Sequence, residues 1–165
     1  MVETVSLYRA PTTPADADAI ADWLRDRVAA EVRVRDRLLG SVDDPDALAE
    51  ALAAARVTDP YDPETGNTMV GIVRYEERAL SAPERAGGVV YDGQAVGRAL
   101  NARLPDRQGL DHLHVPLLDR VLGTWGDHDG RWHKRVAVLG QPSMISVPGL
   151  YEAPAKPEAY YEAKA

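Results

Sequence analysis

The chain has 165 residues, 45% of them hydrophobic, no cysteine and a formal net charge of −7 at pH 7. This hydrophobic share is enough for one core, so we predict a single domain over residues 1–150 and an extended, proline-rich tail over residues 151–165. The lack of cysteine excludes disulfides, thiolate zinc sites and cysteine nucleophiles. The negative charge disfavours nucleic acid and anionic membrane surfaces as partners.

Amino-acid usage bears on where the protein works. Residues 1–9 lack the basic start and the long apolar region of a signal peptide, and no apolar run approaches bilayer length, so we expect a soluble, cytoplasmic protein. The basic residues are almost all arginines, and aspartate outnumbers glutamate. Proteins of salt-adapted archaea have this bias, but a GC-rich genome that favours Arg, Ala, Gly and Asp produces it as well.

The first part of the chain alternates between strand and helix patterns. Residues 5–9 predict a short strand, and a turn then leads to a helix whose apolar side chains share one face: Ile20, Trp23, Leu24 and Val28. Residues 31–39 alternate arginines with apolar residues, which is typical of a strand with one solvated, basic face. That face can bind an acidic ligand, or its arginines can simply balance nearby aspartates.

Two further helices are marked by capping residues. Asp44 followed by Pro45 is a strong helix start, with an N-cap residue and a proline at the first helical position. Asp92 likewise begins a helix that extends to Leu104 and ends before a proline. Between these helices we predict an irregular loop over residues 57–67, a strand over 69–75, a turn or single helical turn over 76–88 and a strand over 89–91.

The last third of the chain holds the most strand-like segments. Residues 111–115 alternate polar and apolar positions, as a strand with one face on a core does. The next segments predict a β-hairpin and a further strand: residues 117–125 and 131–139 around a turn at 126–130, and residues 143–147. The order of elements predicts an α/β (α+β) fold, a mixed twisted sheet with about three helices and a C-terminal β-hairpin.

All four histidines lie in this last part of the chain, close to aspartates. Their nitrogens and the aspartate oxygens can bind zinc or another divalent metal if at least three of them converge. Strand alternation puts the first two histidines on one face, and the hairpin can bring the last two together. The candidate metal ligands are His112, His114, His128 and His133 with Asp127 or Asp129. The alternative is that the histidines are hydrogen-bonded or at the surface.

A second set of residues is a candidate for ligand binding: Trp125, Trp132, Arg135, Ser143 and Ser146. The two tryptophans flank the hairpin tip and form either a ligand platform or a cross-strand packing pair. The two serines follow the histidines closely, but the sequence around Ser143 is not the Gly-x-Ser-x-Gly elbow of a nucleophile. The sequence has no glycine-rich phosphate loop either.

Several short segments carry a resemblance to a known family: Leu113-His114-Val115, Leu122-Gly123-Thr124-Trp125, Arg131-Trp132-His133-Lys134-Arg135, Pro142-Ser143-Met144-Ile145-Ser146, Gly149-Leu150 and Glu152-Ala153-Pro154-Ala155-Lys156-Pro157. Over residues 110–161 the chain resembles an archaeal family of uncharacterised, metallopeptidase-like proteins related to the archaemetzincins. The resemblance implies the upper subdomain of a metzincin peptidase. That subdomain is a twisted mixed sheet with helices, whose edge strand lines the substrate cleft.

The resemblance does not extend to the metzincin zinc site. Metzincins hold zinc on His-Glu-x-x-His-x-x-Gly-x-x-His, which this sequence lacks, so no zinc ligand or general base carries over. We therefore expect a non-catalytic protein that binds a peptide or a partner protein, with residues 143–147 as either a peptide-binding strand or an internal strand. One alternative is a metal-dependent hydrolase whose His/Asp cluster at residues 111–133 activates a water. Another is a structural or regulatory subunit.

Overall fold

The computed structural model describes residues 1–10, 15–40, 43–85, 87–104 and 111–152. These residues form an α/β fold with two mixed sheets, which confirms the predicted fold class, although five helices replace the three expected. The strands are β1 (Thr4–Tyr8), β2 (Glu31–Arg35), β3 (Val90–Asp92), β4 (His112–Leu118), β5 (Val121–Gly126), β6 (Arg131–Arg135), β7 (Ala137–Val138) and β8 (Met144–Ser146). The helices are α1 (Ala17–Arg25), α2 (Pro45–Ala54), α3 (Val70–Ser81), α4 (Gly93–Asn101) and α5 (Val147–Glu152).

The first sheet has the strand order β2-β1-β4-β8-β7, in which only β7 is antiparallel to its neighbour. Side chains alternate across it, so Val5 and Leu7 of β1 pack with α1, whereas Ser6 and Tyr8 lie on the opposite face. Strand β2 pairs with one edge of β1, and β4 pairs with the other edge, so the direction in which strands are added reverses at β1. Ligands of open α/β sheets commonly bind near such a reversal, outside the carboxyl ends of the strands.

The second sheet consists of β3, β5 and β6, with β3 parallel and β6 antiparallel to β5. The predicted β-hairpin is confirmed, since Gly126 pairs with Arg131 across its turn. The strand predicted over residues 117–125 is instead the end of β4 and the start of β5. A turn at Asp119 and Arg120 separates them and leads the chain from the first sheet into the second.

Helices α2 and α4 begin where the sequence predicts because aspartates cap them. The Asp44 carboxylate accepts a hydrogen bond from the backbone N–H of Ala47 at 3.0 Å, and the Asp92 carboxylate accepts one from Gln94 at 2.8 Å. Both helices pack with strands of both sheets in the larger core, which includes Leu48, Leu52, Val96, Leu100, Leu118 and Leu122. None of the helices in the described part of the chain has the length and hydrophobicity that a membrane span requires.

The prediction of a strand over residues 69–75 is wrong. Met69 is the N-cap of α3, and residues 70–75 form its first half. Their valines and isoleucine favour a strand locally, but the buried side chains recur at helical spacing, at Glu76, Ala79 and Leu80. A glutamate on the buried face interrupts the apolar pattern by which an amphipathic helix is recognised.

The end of the described chain also differs from the prediction. Helix α5 begins at Val147, where a strand is predicted to end, so Tyr151 and Glu152 are helical and not part of an extended tail. Pro148 fits in the first turn because its missing N–H has no partner within the helix. The rest of the predicted tail, residues 153–165, lies outside the described residues.

Candidate functional site

Polar side chains of β1, β2 and β4 are connected on one face of the first sheet. The Ser6 hydroxyl lies 2.9 Å from Nε2 of His112 and accepts a hydrogen bond from Nε of Arg35 at 3.0 Å. The Tyr8 hydroxyl lies 2.9 Å from Nδ1 of His114. We call these five residues the sheet network. Parallel pairing aligns Ser6 with His114, which places the side chains of adjacent strands within reach of one another.

The two histidines of the sheet network stack on one another, with ring centroids 4.1 Å apart. This confirms that His112 and His114 share one face of a strand. His114 is fully buried, whereas His112 is partly exposed. Each ring has one nitrogen hydrogen-bonded to a hydroxyl of β1, so the predicted alternative of hydrogen-bonded histidines describes this pair.

A pocket of about 500 Å³ lies at the carboxyl ends of β1 and β2. Its lining residues are Tyr8, Arg35, Asp36, Leu38, Asp43, Ala102, Arg103 and Leu104. We call it the strand-end pocket. Tyr8 and Arg35 belong to both the pocket and the sheet network, so a ligand here would contact groups whose positions the sheet already determines. The location is the one at which open α/β sheets commonly bind ligands.

The charged residues of the strand-end pocket differ in burial. Arg35 and Arg103 are half-buried, whereas Asp36 and Asp43 are exposed. The sheet network orients Arg35, and a hydrogen bond from Nη1 of Arg103 to the carbonyl oxygen of Ala99, at 2.8 Å, orients the second guanidinium. The pocket therefore combines half-buried, positively charged hydrogen-bond donors with exposed carboxylates, which we call its rim.

The hairpin tip brings together a second group of polar side chains, those of His128, Asp129 and His133. One potential ligand atom of each residue lies within 4.8 Å of the other two. Oδ1 of Asp129 is 2.9 Å from Nε2 of His133 and 3.8 Å from Nε2 of His128. The two imidazole rings are nearly parallel, with centroids 5.7 Å apart. We call these three residues the tip triad.

The predicted metal ligands are therefore divided between two places. The first two histidines lie in the sheet network and the last two in the tip triad, so all four do not form one cluster. The aspartate of the triad is Asp129 and not Asp127, whose side chain is exposed beside it in the turn. In the described part of the chain, the tip triad is the group of side chains that could hold a metal ion.

The hydrogen bond from His133, followed by that from Arg131, holds the pKa of Asp129 below its ordinary value. A carboxyl whose pKa is lower in the folded chain stabilises the fold above its unfolded pKa, and this contribution disappears as the pH falls through the folded pKa. We expect His133→Gln to raise the pKa of Asp129, measured by carboxyl carbon NMR. His112→Gln, in the sheet network, should leave it unchanged. An unchanged Asp129 titration in His133→Gln would contradict this assignment.

The predicted binding residues around the hairpin pack or hydrogen-bond within the protein. Trp125 and Trp132 face each other across β5 and β6, with ring centroids 5.9 Å apart in an edge-to-face arrangement, which confirms the cross-strand packing pair. The Trp132 indole N–H also donates to the carbonyl oxygen of Asp62 at 2.7 Å. Nε of Arg135 donates to the Thr124 hydroxyl at 2.7 Å. Their predicted role in binding stays a prediction.

The two candidate serines hold backbone segments in place. The Ser143 hydroxyl donates to the carbonyl oxygen of Gly140 at 2.9 Å, and the buried Ser146 hydroxyl donates to that of Arg120 at 2.8 Å. Strand β8 lies between β4 and β7, so the strand predicted over residues 143–147 is internal. Of the two interpretations of this segment, the internal strand is confirmed, and a peptide cannot pair with it.

Comparison with models of protein families identifies the family to which the sequence belongs. The model of DUF7001, a family of unknown function, matches residues 6–165. The chain belongs to this family. Neither the curated proteins nor the solved structures give a significant match. These comparisons do not link DUF7001 to the archaemetzincins, and that resemblance stays a prediction.

Sequence patterns did not reveal the strand-end pocket of this DUF7001 member. Tyr8 and Arg35 come from different strands, and Arg103 follows α4, so no short motif contains all three. One local signal was available. The alternation of residues 5–9 predicts that Ser6 and Tyr8 share the polar face of their strand.

Proposed function

We propose that this DUF7001 member is a non-catalytic binding protein that holds the free C-terminal carboxylate of a peptide in the strand-end pocket. The observation that carries the proposal is the pair of half-buried guanidinium groups, Arg35 and Arg103, that line the pocket beside Tyr8. Guanidinium groups bind carboxylates through two parallel hydrogen bonds, which gives both affinity and orientation.

The size and charge of the pocket favour a peptide end over a larger or more acidic ligand. A volume of about 500 Å³ is within the range of about 300–1,000 Å³ that is typical of small-ligand sites. The exposed carboxylates of Asp36 and Asp43 would repel a phosphate group more strongly than a carboxylate, which carries less negative charge, and they can accept hydrogen bonds from the N–H groups of a peptide backbone. A single carboxylate followed by amide donors matches this arrangement.

Two features support a binding role over hydrolysis. Ser6 is the hydroxyl nearest to His112, but it is fully buried and shared with Arg35, so a substrate cannot reach it. The alternative of a metal-dependent hydrolase requires at least three of its His/Asp ligands to converge, and the three that do, those of the tip triad, do not line the strand-end pocket.

The β2 edge of the first sheet is poorly suited to strand addition, which favours the pocket as the peptide site. In the edge strand β2, the carbonyl oxygen of Val32 already accepts hydrogen bonds from Nε and Nη2 of Arg25, at 3.2 and 2.9 Å. Charged side chains on this strand, Glu31 and Arg33, further disfavour pairing with another chain.

Replacing Arg103 by methionine is expected to weaken peptide binding by about tenfold or more, because a charge-assisted hydrogen bond contributes about 1.5–3 kcal/mol. The probe is a pool of N-acetylated tripeptides with free carboxylates, titrated while backbone NMR shifts are recorded. The same pool with amidated ends should not bind. Arg35→Met should behave like Arg103→Met.

The matched control is Arg33→Met, because Arg33 lies on the same strand as Arg35 but outside the pocket. Its affinity should equal that of the unmodified protein. Equal binding of the acid and amide pools, or no binding of either, would overturn the proposal.

A further inference from the structure

We propose that the tip triad, His128, Asp129 and His133, is a binding site for a divalent transition metal ion of the zinc class. The site is independent of the strand-end pocket. Its donors are two imidazole nitrogens and one carboxylate oxygen. Such a set binds zinc, cobalt and nickel more strongly than calcium or magnesium.

The spacing of the donor atoms suits a single ion. Zinc lies about 2.0–2.2 Å from imidazole and carboxylate ligands, so the ligand atoms of a tetrahedral site are about 3.3 Å apart. Oδ1 of Asp129 is already 2.9 Å from Nε2 of His133 and 3.8 Å from Nε2 of His128. Small rotations of these side chains, of which His133 is partly buried and the other two are exposed, would bring all three atoms around one ion without movement of the backbone.

The surroundings of the triad hold it in place. Nε of Arg131 donates to Oδ2 of Asp129 at 2.8 Å, which leaves Oδ1 directed toward the histidines. Outer hydrogen bonds of this kind orient metal ligands. The turn is closed by the backbone N–H of Gly130, which donates to the carbonyl oxygen of Gly126 at 2.8 Å, and Gly130 has a φ of 61° that favours glycine.

Gly126 lies directly beside the donor atoms of Asp129 and His133, and this is a separate observation in favour of the site. A Cβ atom at Gly126 would lie 2.6 Å from Oδ1 of Asp129 and 2.7 Å from Nε2 of His133. Any side chain at this position would therefore push the carboxylate or the imidazole away from its partner. Glycine, the last residue of β5, lets both groups lie against the backbone.

The test is a titration of the full chain, without a histidine tag, with Zn²⁺ by calorimetry and with Co²⁺ by visible absorbance. One equivalent of metal should bind. Asp129→Asn, His133→Gln and Gly126→Ala should each weaken binding by about tenfold or more, because each removes or displaces a ligand. The coordinated cobalt spectrum should be lost in parallel with the affinity.

The matched control is Asp127→Asn, which removes a neighbouring exposed carboxylate that is not part of the triad. Its affinity for both metals should be unchanged. The proposal is overturned if the unmodified chain shows no saturable binding. It is equally overturned if Asp127→Asn weakens binding as much as Asp129→Asn does, since that result indicates diffuse attraction to the acidic turn.

Discussion

Replacing Glu76 by alanine is expected to lower the free energy of unfolding by about 3–5 kcal/mol, because it removes the anion from a buried charge network. Glu76 is completely buried, and its Oε1 accepts hydrogen bonds from Tyr91 at 2.8 Å and Arg56 at 3.0 Å. Nη2 of Arg120 lies 3.3 Å from Oε2. In Glu76→Ala, the guanidinium of Arg120, which is 3% exposed, would remain charged in the interior after losing the carboxylate beside it.

The Tyr91 hydroxyl belongs to the same network. Burial raises the pKa of Tyr91 well above its ordinary value, so the hydroxyl keeps its proton and donates a hydrogen bond to Glu76. Urea denaturation measures the effect, and Glu77→Ala, at the next and partly exposed position of α3, is the control. Similar losses of stability in Glu76→Ala and Glu77→Ala would show that the network contributes little.

Replacing Leu122 by alanine is expected to destabilise the protein by about 2–5 kcal/mol, the usual cost of a cavity left by a buried leucine. Leu122 is fully buried in the larger core, where side chains of both sheets meet. Because that core joins the sheets, the loss should appear in one cooperative transition, as the predicted single domain requires. Tryptophan fluorescence and far-UV circular dichroism should report the same midpoint.

The control for this substitution is Leu139→Ala, since Leu139 is 82% exposed. Its midpoint should stay close to that of the unmodified chain. Two separate transitions in Leu122→Ala would refute the single-domain prediction, and a negligible change would refute the role of this core.

Features encoded within a few residues were predictable from the sequence. The caps at Asp44 and Asp92 and the hairpin between β5 and β6 depend on residues close to one another in the chain, and all are confirmed. Helix α3 was missed for a physical reason. The charge of Glu76 is compensated by Arg56 and Arg120, partners far away in the sequence, and no local pattern indicates that a glutamate there is buried.

The candidate sites depend on longer-range pairing. The hydrogen bonds from Ser6 to His112 and from Tyr8 to His114 each span 106 residues, so only the pairing of β1 with β4 creates them. Only part of the tip triad could be predicted. The hairpin brings the two histidines together, but it does not determine which aspartate lies between them. The structure selects Asp129 over Asp127 because its oxygen lies beside both rings.

The packing of Tyr8 limits how the strand-end pocket can diverge among related proteins. Tyr8 is 3% exposed and belongs to the larger core while it also lines the pocket, so a substitution there would change the core and the pocket together. Asp36 and Asp43 are exposed and lie outside both cores. Substitutions at these two positions would therefore change the rim of the pocket at little cost to stability, whereas a substitution at Tyr8 would also disturb the core.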